Sequence, residues 1–417
     1  MVITNVKIKT MSDKDYENGF VRFDNGVFTE IGDMADYVYS IDEVIDGKGL
    51  TMYPGFIDAH CHIGMWDDGL TFEGEDGNED TDPSTPHLRA IDSINAMDDC
   101  FKDALFAGVT TVCTGVGSAN PIGGSFVVMS TSGSKRVDKL IVKSPAAIKF
   151  ALGENPKNTY NDRNETPVTR MATAAIIREQ LMKAKRYLAD KREYERLKGT
   201  DDEVSEPDLD IKCEALIPLF AEENKLQAHF HCHRADDIFT AIRLSKEFDL
   251  DYVLIHCTDG AIIADELAED EPKVVVGPLF GDRGKPELRN HGIATPAALA
   301  AEGIKCAICT DHPETPIQYL PLTAALAVKG GLSREEALKG ITIYPAEILG
   351  LSDRLGSIEV GKQADFSLFN GDPLDLAASA RLVAINGNIR FYTGELSGQI
   401  LNYDLLRTTE KAAFAGI

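Results

Sequence analysis

The chain has 417 residues, 43% apolar and 26% charged, which fits one large globular domain joined to a smaller one and excludes a disordered chain. Its formal net charge of −25 repels nucleic-acid phosphates, so nucleic acid is not an expected partner. No apolar run is long enough to span a bilayer, and the first residues lack the basic-then-apolar order of a secretion signal.

Residues 1 to about 50 hold short alternating segments (VITNVKIKT, GFVRFDNGVFTEIG, EVIDGKG) with turn residues between them, the pattern of a small antiparallel β unit. A related pattern returns in GSIEVGKQADFSLFNGD and RLVAINGNIRFYTGE, so both chain ends are expected to build one small β-sandwich domain from residues 1–51 and 357–417. Between them, strand-like runs alternate with helical stretches: TMYPGFIDAH, GVTTVCTG, FVVMST or KLIVKS, AAIKFAL, LQAHFHC, DYVLIHC, KVVVGP and IKCAICTD are the candidate strands. Helices are expected over HLRAIDSINAMDDCFKDALFAG, ATAAIIREQLMKAKRYLADKREYERLKG, ADDIFTAIRLSKEF and TPAALAAEG. This α/β pattern fits a (β/α)₈ TIM barrel over residues 52–356. A doubly wound sheet is the alternative, but no G-x-G-x-x-G follows the first strand. The highly charged stretch from 190 to 210 reads as a solvated helix end and loop.

The eight cysteines sit mostly in apolar, strand-like runs, where a thiol behaves as a small core side chain and a reducing cytoplasm is the simplest setting. Cys306 and Cys309 form a C-x-x-C, but they lie in a buried-strand pattern and no second pair completes a zinc site.

His60 and His62 in PGFIDAHCHIG are two residues apart, so a strand projects both imidazoles to one side. Alone, such a pair reads sooner as two surface histidines on an edge strand. Three further groups fall near the ends of predicted strands, where barrel enzymes place their chemistry: the series His229, His231 and His233, then His256, and then Asp311 in CAICTDHPETP. Lys149 lies inside the apolar strand AAIKFAL, and a lysine is rarely buried unless its charge is answered or removed. The competing reading is a lysine that reaches out from the barrel rim. At the rim, His87, Arg283 and Lys285 are candidate substrate contacts, although His87 could cap a helix and FGDRGKPELRN could be an ordinary exposed loop. Arg283 and Lys285 could clamp a substrate carboxylate. The turn GSANPIGG could bring backbone donors close to a ligand, and Asp259 and Glu154 have no defined role.

From the first strands through PGFIDAHCHIG, the lysine segment, the histidine strands and TDHPETP to GITIYPAEILGL and LGSIEVGKQADFSLFNGDP, the chain resembles the amidohydrolase superfamily, in its imidazolonepropionase-like and prolidase-like branch. The resemblance implies an enzyme, a hydrolase acting on carbon–nitrogen bonds of small molecules, with two divalent metal ions: Zn²⁺ first, with Fe, Mn or Co also possible. It implies that His60 and His62 bind the more buried metal. Lys149 is implied to bridge both as a carbamate formed with CO₂. His231 and His256 are implied to bind the second metal, and Asp311 to bind metal and handle the proton of a metal-bridging hydroxide. An exchange of His231 with His233 stays open; in the first assignment His233 contacts substrate or supports a ligand, and His229 packs below. Homo-oligomers are common among such families. A mononuclear-metal deaminase is the second reading, and a barrel relative that binds without catalysis is the third.

Overall fold

The structure is a computed structural model that describes residues 1–39, 43–69, 71–199 and 204–394. Residues 395–417 of the expected end domain, and 200–203 of the charged stretch, lie outside the described residues.

The N-terminal segments form β1 (Val2–Ile8), β2 (Tyr16–Asp24), β3 (Val27–Asp33), β4 (Val44–Asp46) and β5 (Thr51–Pro54). Asn25 and Gly26 close the β2–β3 hairpin with φ of 48° and 82°, the left-handed pair that a tight hairpin turn requires. The expected first barrel strand, TMYPGFIDAH, divides at Gly55. Its first half is β5, and its second half is β6 (Phe56–Cys61) in the barrel sheet. A Cβ on Gly55 would lie 2.1 Å from the Thr110 hydroxyl oxygen, so only glycine lets the two segments pass at this seam.

The barrel sheet continues with β7 (Val109–Thr114), β8 (Ile122–Ser130), β9 (Ile141–Ala151), β10 (Gln227–Cys232), β11 (Tyr252–His256), β12 (Lys273–Val276) and β13 (Cys306–Ile308), each hydrogen-bonded to the next. Past β13 the chain bonds back to β6, through Asp311 N–H to His60 O at 3.2 Å and His62 N–H to His312 O at 2.9 Å, and this nearly closes the barrel. The regular eight-fold alternation is broken at β8, which runs antiparallel to both neighbours. The links on either side, 115–121 and 131–140, are shorter than the dozen or more residues that a parallel crossover needs, so the chain can only turn back. FVVMST is therefore a strand in its own right, and KLIVKS and AAIKFAL merge into the single long β9.

Helices cover the outside at Arg170–Leu197, Ala235–Phe248 and Thr295–Ala301, close to expectation. The expected helix over residues 87–108 is reduced to one turn at Ala90–Asp92 and a short helix, Cys100–Phe106. Asn95 and Asp98 explain the gap: their side chains accept from the N–H groups of Met97 and Cys100, local bonds that compete with the helix.

The C-terminal strands β14 (Phe366–Phe369), β15 (Ala380–Ile385) and β16 (Asn388–Tyr392) join the N-terminal strands in one sheet, in the order β16-β15-β14-β5-β1-β2-β3, with β4 also on β1. The sheet curls on itself: Phe23 on β2 and Phe366 on β14 are separated by β1 and β5, yet their ring centroids are 5.2 Å apart. Both chain ends thus share one apolar core, as the sequence predicts.

Candidate metal centre

Lys149, His229 and Val253 are partners across β9, β10 and β11, so they share one face, the barrel interior. His231, two residues beyond His229, faces the same way. His256 does not follow this rule. Its register partner is Cys232, on the opposite face, yet its ring centroid lies 4.5 Å from that of His231. The backbone at His256 is left-handed, with φ of 74°, and this departure at the strand end swings the imidazole inward. Asp311 reaches the interior through a similar left-handed turn, φ 54°. Such conformations cost a non-glycine residue roughly 1–3 kcal/mol and concentrate at functional sites.

The side chains expected to bind metal meet at one point. Lys149 Nζ is 3.0 Å from His60 Nε2, and Asp311 Oδ1 is 3.5 Å from His60 Nε2 and 3.2 Å from His62 Nε2. His62 and His256 each donate Nδ1–H to a carbonyl, of Gly115 and Gly277, both at 2.7 Å, which fixes the tautomer and leaves Nε2 free to bind metal. His60, His256 and Asp311 present ligand atoms within 4.8 Å of one another, and so do His231, His233 and His256. His60 Nδ1 and both nitrogens of His231 are buried without a hydrogen-bond partner. Buried polar atoms left open in this way fit a site built for metal.

Electrostatics point the same way. Burial, with the nearby Lys149 ammonium or neighbouring imidazoles, holds His60, His231 and His256 well below the ordinary histidine range, so they are neutral ligands. Burial pushes Lys149 down to about 8, only partly offset by Asp311. Burial alone would raise Asp311, but His256, His62 and Lys149 outweigh it and keep the carboxylate ionised.

A cleft of about 580 Å³ opens above this point, with His62, His231, His233 and Asp311 at its base. His233 lies in the cleft and donates or accepts at Nδ1 with the Thr258 hydroxyl, 2.7 Å away. Lys285 lines the wall. Arg283 does not: it is exposed and donates to the His291 carbonyl at 2.8 Å. His87 is half-buried and outside the lining, and Arg89 pairs with Asp92 on the surface. His229 packs below the site, beside Gln227. Asp259 holds the loops, accepting from Ala235 N–H and Asn290.

Three residues at the centre were not singled out from sequence. Glu287 is 1% exposed, accepts from Glu154 N–H, and turns an unpartnered Oε1 toward His233 and His231 at 3.8 and 3.9 Å. Asp58 is buried beneath His60 and accepts from both the N–H and hydroxyl of Thr310. Trp66 stands against His62, with ring centroids 5.2 Å apart. Asp58 had a signal, since it lies two residues before His60 on the same strand face. Glu287 and Trp66 had none, because only the folding of long loops brings them in.

The chain belongs to the amidohydrolase family, whose sequence profile matches residues 51–401. It resembles the solved structure of an amidohydrolase from Thermotoga maritima MSB8 at 39% identity and a TM-score of 0.88, covering 94% of this chain and 100% of that one. It is 28% identical to amidohydrolase tasK of Hapsidospora irregularis over 89% of this chain, and spans 40% of that longer protein. It is 25% identical to an imidazolonepropionase of Syntrophobacter fumaroxidans, over 85% of this chain and 84% of the relative. Members of the family are metal-dependent hydrolases acting on carbon–nitrogen bonds.

Proposed function

We propose that this chain hydrolyses a C–N bond in a small amide, cyclic amide or dipeptide, with the catalytic work in residues 52–356. The observation that carries the reading is the convergence of His60, His62, Lys149, His231, His256 and Asp311 beneath one cleft, with His256 shared between two possible ligand groups. These six side chains would hold two divalent ions, zinc first, with Lys149 as its carbamate; His233 is the alternative to His231. Bound there, such ions supply an acidified water and a polarised carbonyl. No acidic side chain among the described residues forms an ion pair with Lys149, so conversion to a carbamate both removes a buried ammonium and provides an anion.

Asp311 is the proton carrier. Its carboxylate takes a proton from the attacking water as the O–C bond forms, then delivers it to the leaving nitrogen as the C–N bond breaks. The Gly115 carbonyl fixes the His62 ring, so its Nε2 and Asp311 Oδ1, 3.2 Å apart, face the same point. The free, buried state of all eight cysteines supports a reducing, cytoplasmic setting, and no helix among the described residues is long and apolar enough to cross a membrane.

The test is metal content per chain, by elemental analysis, of protein purified without chelator, beside Lys149→Ala. About two ions in the parent and clear loss in the variant support the proposal. One ion, unaffected by the variant, favours a mononuclear deaminase. No metal after reconstitution with zinc and bicarbonate leaves a barrel that binds without this chemistry.

A further inference from the structure

We infer that the substrate carries a free carboxylate beside its scissile amide, as an N-acyl amino acid or a dipeptide does, and that Lys285 binds this carboxylate. The inference deepens the hydrolase reading above and rests on it for the word substrate. Lys285 sits in the loop after β12 and lines the cleft whose base holds His231 and Asp311. Its Nζ donates to Asn155 Oδ1 at 2.8 Å, and Asn155 Nδ2 donates to the Ser118 hydroxyl at 2.8 Å. Two loops and the first turn of the helix Glu154–Asn161 thus fix one ammonium on the cleft wall, and all three residues line the cavity.

What holds Lys285 is a neutral amide. Among the described residues no carboxylate pairs with it, although the chain carries a net charge of −25 and other cations are paired, Lys212 with Asp82 and Arg163 with Asp80. The acids on the cleft wall, Asp282 and Glu314, are exposed, and Asp282 accepts the N–H of Gly284. A half-buried ammonium with a fixed position and unused donors is matched by an anionic group of the ligand. A neutral heterocycle would leave that charge unanswered as it displaced water. Trp66, Phe280 and Leu288 give the same cleft an apolar wall, suited to the side chain of an amino acid.

Trp66 is the single tryptophan in the chain and stands against His62, so its fluorescence reports on occupancy without turnover. The probes are the N-acetyl derivatives of the amino acids other than tryptophan and tyrosine and the same compounds with the carboxylate converted to an amide, added to the metal-loaded, full-length protein. Parent Trp66 emission is expected to saturate with the best acids at roughly 10-fold or more lower concentration than with their amides, the effect of one charge-assisted hydrogen bond. Lys285→Met is expected to abolish that preference and raise KM for the acids by a similar factor, with kcat changed much less. Lys285→Arg is expected to retain part of it. Arg283→Ala, at an exposed residue outside the cleft lining, is expected to retain all of it. Equal response to acids and amides in the parent, or a preference that survives in Lys285→Met, overturns the inference. If acids bind through Lys285 but neither this panel nor a matching set of dipeptides is cleaved, the hydrolase reading fails for carboxylate-bearing amides and the carboxylate site stands.

Discussion

Along β6, alternation places Asp58 on the face that carries His60, one step deeper into the barrel. Burial pushes its carboxyl up to about 7, even though Thr310 and His60 donate to it. The Thr310 hydroxyl and N–H both bond to Asp58 Oδ2, so this one carboxylate ties β6 to the chain just before Asp311. Replacing Thr310 with valine keeps the shape and removes one donor from a buried acid, which costs roughly 1–3 kcal/mol. Urea unfolding of Thr310→Val should show that loss, and Thr310→Ser should recover most of it. An unchanged midpoint would mean that the backbone bond alone secures the seam. At this scale sequence was most informative about residues with a strand around them. His60, His62 and Lys149 follow from position in an apolar strand. His256 and Asp311 were found from their place at strand ends, although the left-handed turns that aim them inward were not visible, since neither is a glycine.

The elements that sequence misread are those whose course depends on connection length or on local side-chain bonds. β8 was recognisable as a strand, but its direction is set by two short links, and the period of its side chains says nothing of direction. The acidic run GMWDDGLTFEGEDGNEDTDPSTPHLRA, residues 64–90, carries no strand or helix period that would place it. In the structure it folds back on itself: Asp76 N–H bonds to Met65 O, Asp67 N–H bonds to Gly74 O, and Asn95 holds the Asp67 carboxylate. That short ribbon presents Trp66 to the cleft. Gly77 packs flat against the indole, where a Cβ would lie 1.8 Å from a ring carbon. Gly77→Ala must therefore displace Trp66. The expected result is a shifted emission maximum for the single tryptophan and a weaker apparent affinity for cleft ligands, with metal content unchanged. Emission identical to the parent would show that the ribbon, rather than the indole, yields.

At the scale of the molecule, the curled end sheet is fastened to the barrel along one seam. Gly55 N–H bonds to the Asp365 carbonyl, Phe369 packs on Phe56 with ring centroids 5.5 Å apart, and Phe106 packs on Phe391 at 4.8 Å. The Asp365 side chain is buried in this seam. Its Oδ1 accepts from Asn386 N–H at 2.6 Å and Gln363 at 3.0 Å, while Oδ2 has no partner. Burial therefore raises its carboxyl to about 6, which those two bonds and Arg390 only partly offset. The folded pKa lies above the unfolded value near 4, so between these values the folded state holds a proton that the unfolded state has released. Stability contributed by this group falls as pH rises from about 4 to about 6, and the cost, on the order of 2–3 kcal/mol, is fully present above that window. Asp365→Asn keeps the Oδ1 acceptor and carries no charge, so it escapes the cost. Its urea midpoint relative to the parent should therefore rise between pH near 4 and pH near 7, with metal load held equal. A difference that stays constant across that range would mean that Asp365 titrates alike in the folded and unfolded states, and that water reaches the seam.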